Sequence, residues 1–73
     1  MQKFEYFVMD GRAQYDLELA TIFEALGQKE PSKKRLQRDW GDMGACLVRA
    51  PVTSEDASGN SRCGSFEVIR EIK

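Results

Sequence analysis

Alternation marks the first element. In KFEYFVM, Lys3 to Met9, residues Phe4, Tyr6 and Val8 fall on one face and Glu5, Phe7 and Met9 on the other. That period of two, with aromatics suited to a pleated surface, predicts a strand. Asp10-Gly11 follows, a dipeptide that favours positive φ and reads as a turn. Near the other end, FEVIREI, Phe66 to Ile72, alternates Phe66, Val68, Arg70 and Ile72 against Glu67, Ile69 and Glu71 and predicts the last strand. ACLVRA, Ala45 to Ala50, predicts its partner, ended by Pro51. With Ala50 opposite Phe66, Cys46 faces Arg70. The intervening residues 51–65, rich in Ser, Gly, Asn and Asp with Val52 as the single large apolar residue, are expected to form a flexible hairpin loop.

Two segments between these strands carry a different pattern. In LELATIFEAL, Leu19, Ile22, Phe23 and Leu26 stand at i, i+3, i+4 and i+7, with Asp16 and Gly27 placed as caps, which is the period of an amphipathic helix. Read as a strand, the same segment sets Leu17, Leu19, Thr21, Phe23 and Ala25 on one face and Ala20, Ile22 and Leu26 on the other. Topology favours the strand, because the first strand needs a partner and a return through the Asp10–Asp16 loop supplies one. Further on, Leu36 and Trp40 make a narrow i, i+4 stripe between Pro31, suited to a first helical turn, and Gly41, suited to a C-terminal cap. This predicts a short surface helix anchored in the core by Trp40. The expected architecture is α+β: an antiparallel four-stranded sheet with one helix packed on a face, in the order ββαββ. The alternative order is β-α-α-β-β.

Length and charge narrow the picture. A chain of 73 residues is read as a single domain, 1–73, with a thin core that buries only about 60% of the unfolded surface. No apolar run approaches the roughly 20 residues of a transmembrane helix. The opening MQKFEYFVMDG lacks the apolar core of a signal peptide, so a cytoplasmic location is expected. Histidine is absent, which excludes Ser-His and Cys-His nucleophilic catalysis and any zinc finger with histidine ligands. Cys46 and Cys63 are expected to be free thiols, with Arg62 lowering the pKa of Cys63 slightly. The net charge is −1, but residues 28–41 carry +3, from Lys29, Lys33, Lys34, Arg35 and Arg38 against Glu30 and Asp39.

Three clusters invite chemistry. Asp10, Asp16, Glu18 and Glu24 match no EF-hand spacing, and solvated carboxylates explain them without a metal. Arg12 and Tyr15, beside Asp16, pair a cation with a phenol in one loop, a combination used in partner recognition. The plain alternative has Tyr15 packed over the sheet edge and Arg12 paired with Asp10 or Asp16. Lys33, Lys34, Arg35 and Arg38 could track phosphates, or simply form a solvated helix face. No set of residues assembles a catalytic constellation, no cofactor is implied, and the expected role is a non-enzymatic interaction module. The strand Phe66–Ile72 also has an edge open to pairing with a second copy.

Tyr6 to Ala13 (YFVMDGRA), Tyr15-Asp16, Ala20 to Glu24 (ATIFE) and Trp40-Gly41-Asp42 together resemble a group of small phage and prophage proteins. The resemblance spans about residues 4–50 and has no counterpart for 51–65. In that group a strand runs into a DGRA-type loop, then a second strand, a short helix and a WGD turn, and no activity is assigned. The resemblance implies a strand within Leu17–Leu26 and an origin in a mobile element. Together with the clusters above, it implies a small accessory protein that binds a host or defence protein, an anti-CRISPR-like inhibitor being one instance. Weak nucleic-acid binding by the basic helix is the alternative.

Overall fold

The computed structural model describes residues 3–58 and 61–72. Its strands are β1 (Phe4–Asp10), β2 (Ile22–Gly27), β3 (Ala45–Glu55), β4 (Ser61–Cys63) and β5 (Glu67–Glu71), with one α-helix, α1 (Lys33–Trp40), and a 3-10 turn over Gly11–Gln14. All strand pairs are antiparallel, in the order β2, β1, β3, with β4 and β5 both on the far side of β3. The architecture is therefore the α+β sheet with a single helix, and β4 and β5 are two halves of one return arm.

β3 is the centre of the molecule. Ala45, Cys46, Leu47 and Val48 are buried in succession, because the sheet is covered on both faces and a strand so placed needs apolar residues at every position. On one face Val8, Leu36, Ala45, Leu47 and Ile72 form a core joined by Tyr6, Leu26, Trp40 and Ile69. On the other, Met9, Ala13, Cys46 and Val48 pack with Phe7, Leu17, Ala20, Phe66 and Val68. There the Phe7 and Phe66 rings meet edge-on, 5.4 Å apart. The helix covers the first face; the 3-10 turn and the chain after it cover the second.

Helix α1 forms where its caps and stripe place it. Ser32 is the N-cap, its hydroxyl accepting the Arg35 N–H, and Gly41 is the C-cap. Pro31 lies just before the cap and is buried, so it introduces the helix without entering its first turn. Trp40 is half-buried and stacks on Phe23 at 5.6 Å between ring centroids.

Several expectations are corrected. The second strand begins at Ile22, five residues later than the apolar segment, and Leu17 and Ala20 sit in turns that pack on the opposite face. Its faces do not simply alternate: register shifts against β1 leave Phe23 and Leu26 without opposite numbers. Both of these bulged residues turn toward the helix. Asp10-Gly11 makes no positive-φ turn, since among the described residues only Gly27 and Gly44 have positive φ. Asp10 instead caps the 3-10 turn through the Arg12 N–H, at 3.0 Å. Gly11 is required by proximity: a Cβ there would lie 2.2 Å from the Gly44 carbonyl oxygen.

Pro51 does not end its strand. β3 runs on to Glu55 and pairs with β4, so much of 51–65 is hairpin arm and not irregular loop. The register of β3 places Val52 N–H on Lys3 of the β1 side, so the backbone of Pro51 faces the other way, where its carbonyl accepts the Gly64 N–H. The donor that proline lacks thus falls at the break between β4 and β5. The register against β5 also differs from the expected one: Cys46 lies opposite Glu71, and Arg70 opposite Leu47.

Candidate functional site

The segment from Arg12 to Ile22 crosses the face opposite the helix. Asp10 and Asp16 hold it in shape, each accepting a backbone N–H two residues on, from Arg12 and Glu18, at 3.0 Å. Ala13 is buried beneath, and Leu17 and Ala20 pack inward. With these as anchors the remaining apolar side chains point out. Tyr15 is 90% exposed, Leu19 66% and Ile22 45%. Tyr15 therefore does not pack over the sheet edge, and Arg12 makes no ion pair with Asp10 or Asp16 among the described residues. Of the three residues singled out here, Arg12 and Tyr15 are presented to solvent. The Asp16 carboxylate is engaged in the turn. Among the described residues no group of carboxylates and thiols could hold a metal ion.

The basic residues of α1 do not form one row. Leu36 and Trp40 face the sheet, so the 3.6-residue period sends Lys34 and Arg38 outward, one turn apart. Arg38 and Arg35 both reach Asp39, at 3.2 and 3.9 Å. Lys33 lies on the flank toward β5 and lines one hollow with Arg70, which the linear sequence gave no reason to join to it. Lys29, Lys33, Arg35 and Arg70 line a cleft at the start of the helix, over Leu26 and Pro31. Arg70 is the residue sequence reasoning missed, since it lies far along the chain from the basic segment and only the fold brings it to the cleft.

A further polar cluster gathers at the uncovered end of the sheet. The Arg49 guanidinium lies 4.2 Å over the Phe4 ring and pairs with Glu67 at 3.0 Å. This arrangement ties β1, β3 and β5 together and needs no ligand to explain it.

Both cysteines are free. Burial, then Asp10 and Glu71, push the Cys46 thiol above its ordinary range. Cys63 is exposed, yet its thiol is also raised, by partial desolvation and then Glu5, and not lowered by Arg62. A thiol reagent at neutral pH is accordingly expected to count one cysteine in the folded chain and two in denaturant, with the native reaction lost in Cys63→Ser. Two equivalents under native conditions would contradict the buried placement of Cys46.

No helix among the described residues is long and apolar enough to cross a membrane. The chain matches no protein family, no curated protein and no solved structure.

Proposed function

We propose that this chain is a non-enzymatic interaction module, a small cytoplasmic accessory protein of phage or prophage origin. It binds a host or defence protein through the segment carrying Arg12 and Tyr15, in the manner of an anti-CRISPR-like inhibitor. One observation carries the reading: a tyrosine 90% exposed, beside an arginine with no ion pair among the described residues, on a segment pinned by capped turns and buried anchors. Tyrosine and arginine are the residues that most often dominate binding energy at protein interfaces, and a fixed segment loses little entropy on docking. Leu19 and Ile22 extend the same exposed surface.

The test is a double variant, Arg12→Ala with Tyr15→Ala. Stability should change by no more than about 0.5 kcal/mol, because neither side chain is packed. Capture of a stoichiometric partner from host lysate by the tagged chain should be lost. A partner retained at full strength by the variant would remove this segment from the interface.

Nucleic-acid binding along Lys33, Lys34, Arg35 and Arg38 draws less support. Only Lys34 and Arg38 share the outward face, Lys33 and Arg35 line the cleft at the helix start instead, and Arg35 and Arg38 both have Asp39 as a neighbour.

A further inference from the structure

Arg70 reaches the helix side of the sheet because β5 is bulged. Leu47 lies opposite Arg70 and Val48 opposite Val68, which leaves Ile69 as the extra residue. Val68 packs on the far face, while Ile69 joins the core beneath the helix. Arg70 stays on that same side and lines the open cleft at the start of α1. Strict alternation would have turned Arg70 to the far face, and re-aiming a side chain is what a bulge does.

The bulge aims Arg70 at more positive charge. Lys29, Lys33 and Arg35 line the same cleft, with Glu30 as the only carboxylate among the described residues that line it. Like charges held around one hollow repel one another unless something anionic lies between them. Lys29, Lys33 and Arg70 have no ion-pair partner among the described residues, and Arg35 touches Asp39 only at 3.9 Å. Arg70 is half-buried, so its side chain has given up part of its water without gaining a carboxylate in return.

The surroundings of the cleft select the anion. Its five charged residues sum to +3 in a chain of net charge −1, so the rest of the molecule carries −4. A short anionic segment confined to the cleft meets the cations alone. A long polyanion would leave the cleft over surface of its own sign, and Lys34 and Arg38 point away from any such path. The cleft, about 800 Å³ and open, has room for a stretch of chain, and the half-buried Leu26 offers it an apolar contact. Peptide carboxylates suit these walls, the Arg70 fork taking one with two parallel hydrogen bonds and the lysines adding charge.

We propose that this cleft docks a short acidic segment of a protein partner, its carboxylates among Lys29, Lys33, Arg35 and Arg70 and an apolar side chain on Leu26. The cleft lies on the face opposite the Arg12–Tyr15 segment and does not rest on that segment's role.

Fluorescence anisotropy tests this with a short labelled peptide in which Asp and Glu flank a central Leu, titrated with the whole chain. The same peptide with Asn and Gln in place of the acids, and a labelled oligothymidylate, are titrated beside it. The acidic peptide should bind about tenfold or more tighter than its amide version. That preference should fade as salt is raised, because exposed charges are screened. Arg70→Gln, which keeps much of the side chain's stem, should weaken acidic-peptide binding about tenfold. Lys29→Gln with Lys33→Gln should do the same, at exposed positions where folding is not at stake. Lys34→Gln with Arg38→Gln removes equal charge from the outward face and should leave the binding unchanged. The proposal is overturned if the acidic peptide binds no tighter than its amide version, or if the two double variants weaken it equally. It is overturned too if the oligothymidylate binds more tightly than the acidic peptide, which would mark the cleft as a nucleic-acid contact.

Discussion

Gly11→Ala should lower the unfolding free energy by about 3 kcal/mol or more, at or beyond the upper end of ordinary overpacking costs. The cause is backbone against backbone. An added Cβ would sit 2.2 Å from the carbonyl oxygen of Gly44, and no side chain stands between them that could rotate away. Nor can the Gly44 carbonyl easily yield, because Gly44 is itself held at φ +66 in the link from α1 to β3. A 73-residue domain has roughly 4–11 kcal/mol in all, so this substitution removes a large share. Urea unfolding read by far-UV circular dichroism measures it. Gly27→Ala is the comparison: Gly27 has φ +84 but nothing within 4 Å of a new Cβ, so its cost is confined to backbone strain of about 1–2 kcal/mol. Equal losses in the two variants would mean that the approach of residues 11 and 44 does not exist.

Leu47→Ala is expected to cost about 2–5 kcal/mol. Leu47 is fully buried in the central strand, opposite Val8 on one side and Arg70 on the other, in the core that Leu36 closes from above. Neighbours on three elements cannot all collapse into the space left, so a cavity adds to the lost transfer energy. At about 4–8 °C per kcal/mol for a domain of this size, the midpoint of thermal unfolding should fall by roughly 10 °C or more. Leu19→Ala makes the same chemical change at a position 66% exposed and should shift the midpoint by only a few degrees. A Leu47→Ala loss as small as that of Leu19→Ala would place Leu47 outside the core.

The parts of the fold that were legible are those where one local signal acts alone. β1 announced itself by alternation, and α1 by a two-residue stripe between a proline and a glycine. β2 was ambiguous for a reason now visible. Its two bulges put Phe23 and Leu26 on the same side of the sheet, three residues apart, which imitates the spacing of a helix. Pro51 misled in the opposite sense. A proline is tolerated within a strand where the neighbouring strand is interrupted, and nothing near Pro51 in the sequence reports that the interruption at Gly64 lies beside it. Asp10-Gly11 was legible as a place where the chain changes direction. The pressure on Gly11 came from Gly44, 33 residues away, and so was not.

The candidate sites divide along the same line. Arg12 and Tyr15 could be named because they share one short loop, and their exposure is the property that the fold added. The cation cleft could not be named, because its members come from residues 29 to 35 and from residue 70. Charge counting located the basic segment but not which of its side chains would converge.

The central pairing of β1 with β3 has a kinetic consequence. Each flanking arm closes locally: β1 with β2 across the 3-10 turn, and β3 with β4 and β5 across a short link. The step that joins them brings Asp10 against Ala45, closing a loop of some 35 residues before either core layer exists. The β1–β3 pairing is thus the long-range contact whose loop closure weighs on the rate of folding. Lengthening the connection around α1 would raise the free-energy cost of that closure only logarithmically, while loosening β3 would leave neither arm a surface on which to land.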